Sequence, residues 1–173
     1  MKTNAGILVL ALIITYNMPS ASAYDGQLNF TGEITDQVCS VATDGNNIDL
    51  GKISNKAFNG VGDYAGNSRF SIKLSDCPDS IKSVKVKFDG NPDNGNPEII
   101  ALTKGKKSAT GLGVQITDID SGVVSLGVPT RDFNIKPGST VNQLDFSARY
   151  ISTAQDITPG QANATASFTI TYN

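Results

Sequence analysis

Few side chains in this sequence are able to do chemistry, and their spacing argues against most of it. The 173-residue chain has no histidine and no tryptophan. Without imidazole, Ser-His-Asp and Cys-His nucleophilic arrangements are out of reach, and so are the usual zinc sites. Asp118 and Asp120 are a carboxylate pair of the kind glycosidases use. They stand two residues apart in "TDIDSG", whose composition is that of a turn. Asp89, Asn91 and Asp93 alternate like the oxygen ligands of a calcium loop. That motif needs Gly at its sixth position and Glu at its twelfth, which here are Asn94 and Ile100. A polar turn is the simpler reading. Asn29-Phe30-Thr31 and Asn163-Ala164-Thr165 match glycosylation acceptors, but both fall inside predicted strands and are read as chance. Tyr64 and Arg69, in a glycine-rich stretch, are residue types that bind sugars, and loops at the ends of sandwiches do carry sites. No catalytic constellation, metal site or cofactor motif emerges, so an enzyme is not expected.

The first 23 residues read as an address. Lys2 precedes an apolar run from Ile7 to Ile14, and Ala21-Ser22-Ala23 has the small-x-small pattern of a signal-peptidase site. The apolar run is too short to cross a membrane as a helix. An exported chain starting at Tyr24 is expected, with about 150 residues, one domain's worth. One of the 14 basic residues, Lys2, lies in the leader, which leaves 13 against 16 acidic. No basic patch suited to nucleic acid stands out: Lys85 and Lys87 lie on one face of a strand whose other face is Val84, Val86 and Phe88. The two cysteines, Cys39 and Cys77, have no CxxC spacing. In an oxidising compartment an isolated even pair forms one disulfide. Closing a loop of that length stabilises by roughly 3–4 kcal/mol on the chain-entropy model.

The elements that position these residues are strands. No segment shows an apolar stripe at the 3.6-residue period, whereas period-two alternation recurs. Phe70, Ile72 and Leu74 alternate in 69–77, and Val84, Val86 and Phe88 in 83–90. Leu144, Phe146, Ala148 and Tyr150 alternate in 141–154. Ile48, Leu50 and Ile53 suggest a short edge segment. Residues 59–68 read as a loop and 89–98 as a long turn. Val114 and Ile116 face Val123, Val124 or Leu126 across an expected hairpin. The cleanest alternation is the last: Ala162, Ala164, Ala166, Phe168, Ile170 and Tyr172 on one face, polar residues on the other. Strands at roughly ten-residue spacing with turn signals between them indicate an all-β sandwich.

The stretch "LNFTGEI" also alternates, with Leu28, Phe30, Gly32 and Ile34 on one face. It is odd in two ways. It would lie at the chain end left by cleavage, and a glycine occupies its apolar face, where it adds no packing. From pattern alone, both terminal strands could simply pair within one sandwich.

Taken together, these features resemble the pilin subunits of chaperone–usher fimbriae of the type 1 and P pilus kind. The resemblance covers the chain and rests on a joint pattern. It comprises the signal peptide, "QLNFTGEI" shortly before Cys39, and "FSIKLSDC" ending in Cys77. It also comprises Gly160, fourteenth from the end, and a final strand with Tyr172 as penultimate residue. The resemblance implies an incomplete immunoglobulin-like sandwich lacking its final strand, completed by a donor strand from another subunit. It implies a signal peptide at 1–23, a donor extension at 24–35 and a sandwich domain at 36–173. The donor positions would be Gly26, Leu28, Phe30, Gly32 and Ile34. The groove, which a chaperone fills first, would lie along Gly160, Ala162, Ala164, Ala166, Phe168, Ile170 and Tyr172. Implied partners are neighbouring fimbrial subunits, a periplasmic chaperone and an outer-membrane usher, with the product on the bacterial surface. The glycine at 32 is then explained by a narrow place in the acceptor, where only a residue without Cβ lets two backbones close up.

Overall fold

The computed structural model describes residues 28–32, 38–43, 47–120 and 122–173. The chain divides into two units, Met1–Ile34 and Thr35–Asn173. The second unit is all-β, with a single 3-10 turn at Asn55–Ala57 among the described residues. Its strands are β1 (Ser40–Thr43), β2 (Tyr64–Ser75), β3 (Ser83–Gly90), β4 (Pro92–Asp93) and β5 (Asn96–Ala101). They continue with β6 (Leu112–Asp118), β7 (Phe133–Asn134), β8 (Asn142–Ser152) and β9 (Ala166–Tyr172). One sheet has the order β1-β2-β8-β6-β5-β4, the other β7-β3-β9, and every ladder is antiparallel.

Period-two alternation is what makes two such sheets stack. Ile72 and Leu74 of β2 and Leu144 and Phe146 of β8 point inward from the larger sheet, and all four are buried. Val84 and Val86 of β3 meet them from the smaller sheet and are fully buried, at 0% exposure. Lys85 and Lys87 alternate with them on the outside, where Lys85 pairs with Asp132 and Lys87 with Asp89. At the centre the Phe146 ring stacks on Phe70 at 5.6 Å and meets Phe88 and Phe133 edge-on at 5.1 and 5.5 Å. These are favoured aromatic geometries, worth more than their buried area alone. The Cys39–Cys77 disulfide ties the residue just before β1 to the loop after β2.

The structure corrects the sequence reading at several points. Residues 59–68 are not all loop, because β2 begins at Tyr64 and runs through a bulge between Ala65 and Ser68. Gly66 makes that possible: it has φ of +72°, and a Cβ there would sit 2.9 Å from the Leu50 carbonyl. Residues 89–98 contain a tight hairpin, with β4 and β5 joined through Asn94 and Gly95, both at positive φ. A two-residue primed turn of this kind needs no long loop. The segment of Ile48, Leu50 and Ile53 forms no ladder. It is tied to β2 by the Ser68 hydroxyl donating to the Asp49 carbonyl. The expected hairpin arm after β6 is reduced to one bridge, Thr117 with Val123, made by the Asp118 amide donating to the Gly122 carbonyl and the Val124 amide to the Ile116 carbonyl. Asp118 is a turn residue: its carboxylate accepts from the Asp120 and Gly122 amides and pairs with Arg131.

Phe146 sits where both sheets and three other rings converge. Phe146→Ala is expected to lower the unfolding free energy by about 3–5 kcal/mol. Equilibrium urea unfolding with the disulfide intact measures this, and a loss below about 1 kcal/mol would mean the ring cluster is not the centre of the core.

Candidate strand-binding groove

Every inner strand of a sheet gives one edge to each neighbour. β9 gives only one, pairing with β3 from Val84–Tyr172 to Gly90–Ala166. No described strand pairs with its other edge. The side chains on its inward face report the same gap. Phe168, Ile170 and Tyr172 are half-buried and Ala166 is exposed, whereas Phe88, Val86 and Val84, opposite the first three, are buried. Beside this edge runs a groove of about 790 Å³. Ala162, Ala164, Ala166 and Phe168 form one wall. Thr43 of β1 and the segment Asn47 to Leu50 form the other. The floor is apolar core: Phe70, Ile72, Phe88, Ile100, Val114, Ile116 and Ala148, with Tyr150 among them.

The sequence picked out the first wall and missed the rest. Ile170 and Tyr172 pack against the core beyond the groove lining, so the structure does not bring them into it with the other four. The strand pattern also began too early. Ala162 and Ala164 precede β9, and their inward position is held by other contacts. One is the Tyr150 phenol, which donates to the Ala162 carbonyl at 2.9 Å. The second is the Thr103 amide on the Asn163 carbonyl at 2.7 Å. The opposite wall carried one faint signal, the alternation of Ile48 and Leu50, which the sequence reading placed in an edge strand.

Gly160 lies outside the groove, and its role is steric. The chain here crosses the 105–109 loop so closely that a Cβ would stand 2.4 Å from the Ala109 amide nitrogen and 2.6 Å from the Lys107 carbonyl oxygen. The crossing is fixed by the Gln161 amide donating to the Lys107 carbonyl and the Ala109 amide to the Gln161 carbonyl. Gly160 thus sets where the groove wall begins.

Of the predicted donor positions, Gly26 and Ile34 lie outside the described residues. Residues 28–32 belong to the first unit and carry no strand. The alternation is there without a ladder. Leu28 is 82% and Phe30 91% exposed. A Cβ on Gly32 would meet nothing within 4 Å, so this chain by itself does not require glycine there.

Two outcomes follow from this wall. Gly160→Val forces a side chain into backbone and is expected to cost about 1–3 kcal/mol. It should also speed hydrogen exchange at the Ala109 and Gln161 amides, and unchanged exchange would show that the crossing is not the constraint. The Tyr150 phenol is pushed above its ordinary value of 10.0, first by burial and second by the charge of Asp49. The stability tied to its protonated form is therefore intact below pH 10 and is lost as pH rises through the raised value. Tyr172 shifts the same way through burial. The urea midpoint should fall above pH 10, and fall less steeply in Tyr150→Phe.

Comparisons with known proteins agree with this architecture. The family model described as "Fimbrial protein" matches residues 28–173. Long polar fimbria protein A of Salmonella typhimurium is 31% identical over 175 residues, covering 99% of this chain and 97% of its own. Among solved structures, the antigen and type I fimbria protein of Burkholderia pseudomallei is 34% identical with a TM-score of 0.63, over 80% of this chain and 91% of its own. A subunit in the structure of a chaperone–usher pilus shares the fold, with a TM-score of 0.65 at 23% identity over 90% of this chain and 100% of its own. The sandwich with one strand edge open beside an apolar groove is therefore that of a pilin, and the chain belongs to the fimbrial protein family.

Proposed function

We propose that this structural pilus subunit polymerises by giving residues 24–35 of one copy to the groove of the next. The observation that carries this is the free edge of β9 above an apolar groove, in a chain that also exposes Leu28 and Phe30 at alternate positions. Strand addition to such an edge supplies main-chain hydrogen bonds, and alternate side chains enter the groove for specificity. Burying Leu28, Phe30 and Ile34 contributes about 1.5–3 kcal/mol each. Gly32 gains its reason only in the acceptor, where the backbones must approach closely. Once filled, the sandwich opens slowly, a property a filament under shear requires.

Before assembly the same groove is an exposed apolar strip and an aggregation hazard. A periplasmic chaperone that lends a strand, and an outer-membrane usher that exchanges it for the next subunit, meet that hazard. Residues 1–23 direct export to the periplasm, and the assembled fimbria stands on the cell surface.

The test uses the chain from Tyr24 onward, refolded oxidised and allowed to assemble, with polymer followed by light scattering. Gly32→Leu should leave monomer stability within about 0.5 kcal/mol, as for a surface substitution, yet suppress assembly. Phe30→Asp should likewise stay monomeric. Polymer formation by both variants at the unsubstituted rate would sink donor-strand assembly and leave residues 24–34 to complete their own sheet.

A further inference from the structure

A lysine-rich loop adjoins the start of the groove wall without lining the groove itself. The loop Thr103-Lys104-Gly105-Lys106-Lys107-Ser108 places three exposed lysines beside the wall where Ala162 and Ala164 begin. Its position is determined by backbone bonds: Thr103 to Asn163, and Gln161 to Lys107. The Ser108 hydroxyl closes the loop on the Thr103 carbonyl at 2.7 Å. None of the three lysines makes an ion pair among the described residues, whereas Lys85, Lys87 and Arg131 all do. One acid, Asp49, lies in the groove lining.

The complementary charge is in the chain's own N-terminal region. Between Lys2 and Lys52 there is no basic residue. Residues 24–36 carry Asp25 and Glu33 in the extension and Asp36 at the first position of the sandwich domain. Every ladder in the domain is antiparallel. A segment entering antiparallel to β9 brings its C-terminal end to Ala162 and Ala164, and so brings Glu33 and Asp36 to the lysine loop.

We propose that Lys104, Lys106 and Lys107 form an electrostatic docking site for Glu33 and Asp36 of a second copy, which speeds capture of its extension and sets the direction of entry. This rests on the donor-strand reading above. Charges at the rim of an interface act mainly on the association rate and its salt dependence, and leave the dissociation rate to the apolar contacts.

The test mixes the full chain from Tyr24, refolded at low concentration, with a fluorescent peptide of residues 24–36 and follows association by stopped-flow anisotropy. The association rate should fall about fivefold to tenfold between roughly 50 and 500 mM salt. A peptide with E33K and D36K should bind slowly to the unsubstituted chain. The triple variant K104E, K106E, K107E should bind the unsubstituted peptide slowly and recover its rate with the E33K, D36K peptide. A D25K peptide should bind at nearly the unsubstituted rate. Capture at one rate for all pairs would overturn the lysine site while leaving donor-strand assembly intact. A D25K effect as large as that of E33K and D36K would overturn the direction of entry. Failure of every peptide to bind would remove the donor-strand reading and this inference with it.

Discussion

A β-strand carries a row of backbone donors and acceptors along each edge, and both rows need partners. In this domain β9 satisfies one row against β3, and among the described residues no strand pairs with the other, which lies beside the groove. That unpaired edge is the constraint on which the rest of the structure depends. The sandwich buries Phe88, Phe133 and Phe146 of its ring cluster, while Phe70 of β2 and Tyr150 of β8, which line the groove, stay half-buried. Among the described residues, the domain is a sandwich with one sheet edge left without a neighbouring strand.

The strip is held open by specific residues. Three alanines in sequence alternation leave volume where larger side chains would have closed it, and the Tyr150 phenol pins the first of them through its carbonyl. Gly160 lets the chain cross the 105–109 loop at backbone contact, so the wall starts where it does. The opposite wall, Asn47 to Leu50, is anchored to β2 near the Gly66 bulge. A groove built this way is pre-formed, and an incoming strand need order only itself. On the donor-strand proposal, the free energy of completing the fold would be the free energy of holding two subunits together.

Much of the fold was legible where one face of a strand is buried and the other wet. In β2, β3 and β8 the apolar positions named from alternation are buried or half-buried core positions. What was not legible has physical causes. β1 has no residue buried on either face and β7 has only two residues, so neither carries a pattern. The 59–68 stretch looked like loop because glycine marks turns and bulges alike. The 89–98 stretch looked like a long turn because polar residues flank a hairpin that needs only Asn94 and Gly95. For the groove, one wall was readable because it is continuous in sequence; the floor alone comes from five separate strands, and the other wall from yet another stretch.

The amino-acid sequence by itself determined the all-β class, the inward faces, the cysteine pair and the apolar alternation of two terminal segments, because these depend on residue type and local period. The tertiary structure decided which of those described segments lies in a sheet. It put the last strand at a sheet edge over an apolar floor, and it left Leu28 and Phe30 out in solvent with the same alternating pattern. Period two states that a strand wants one face covered. Only the arrangement of the other strands shows that, among the described residues, no strand covers that edge of β9.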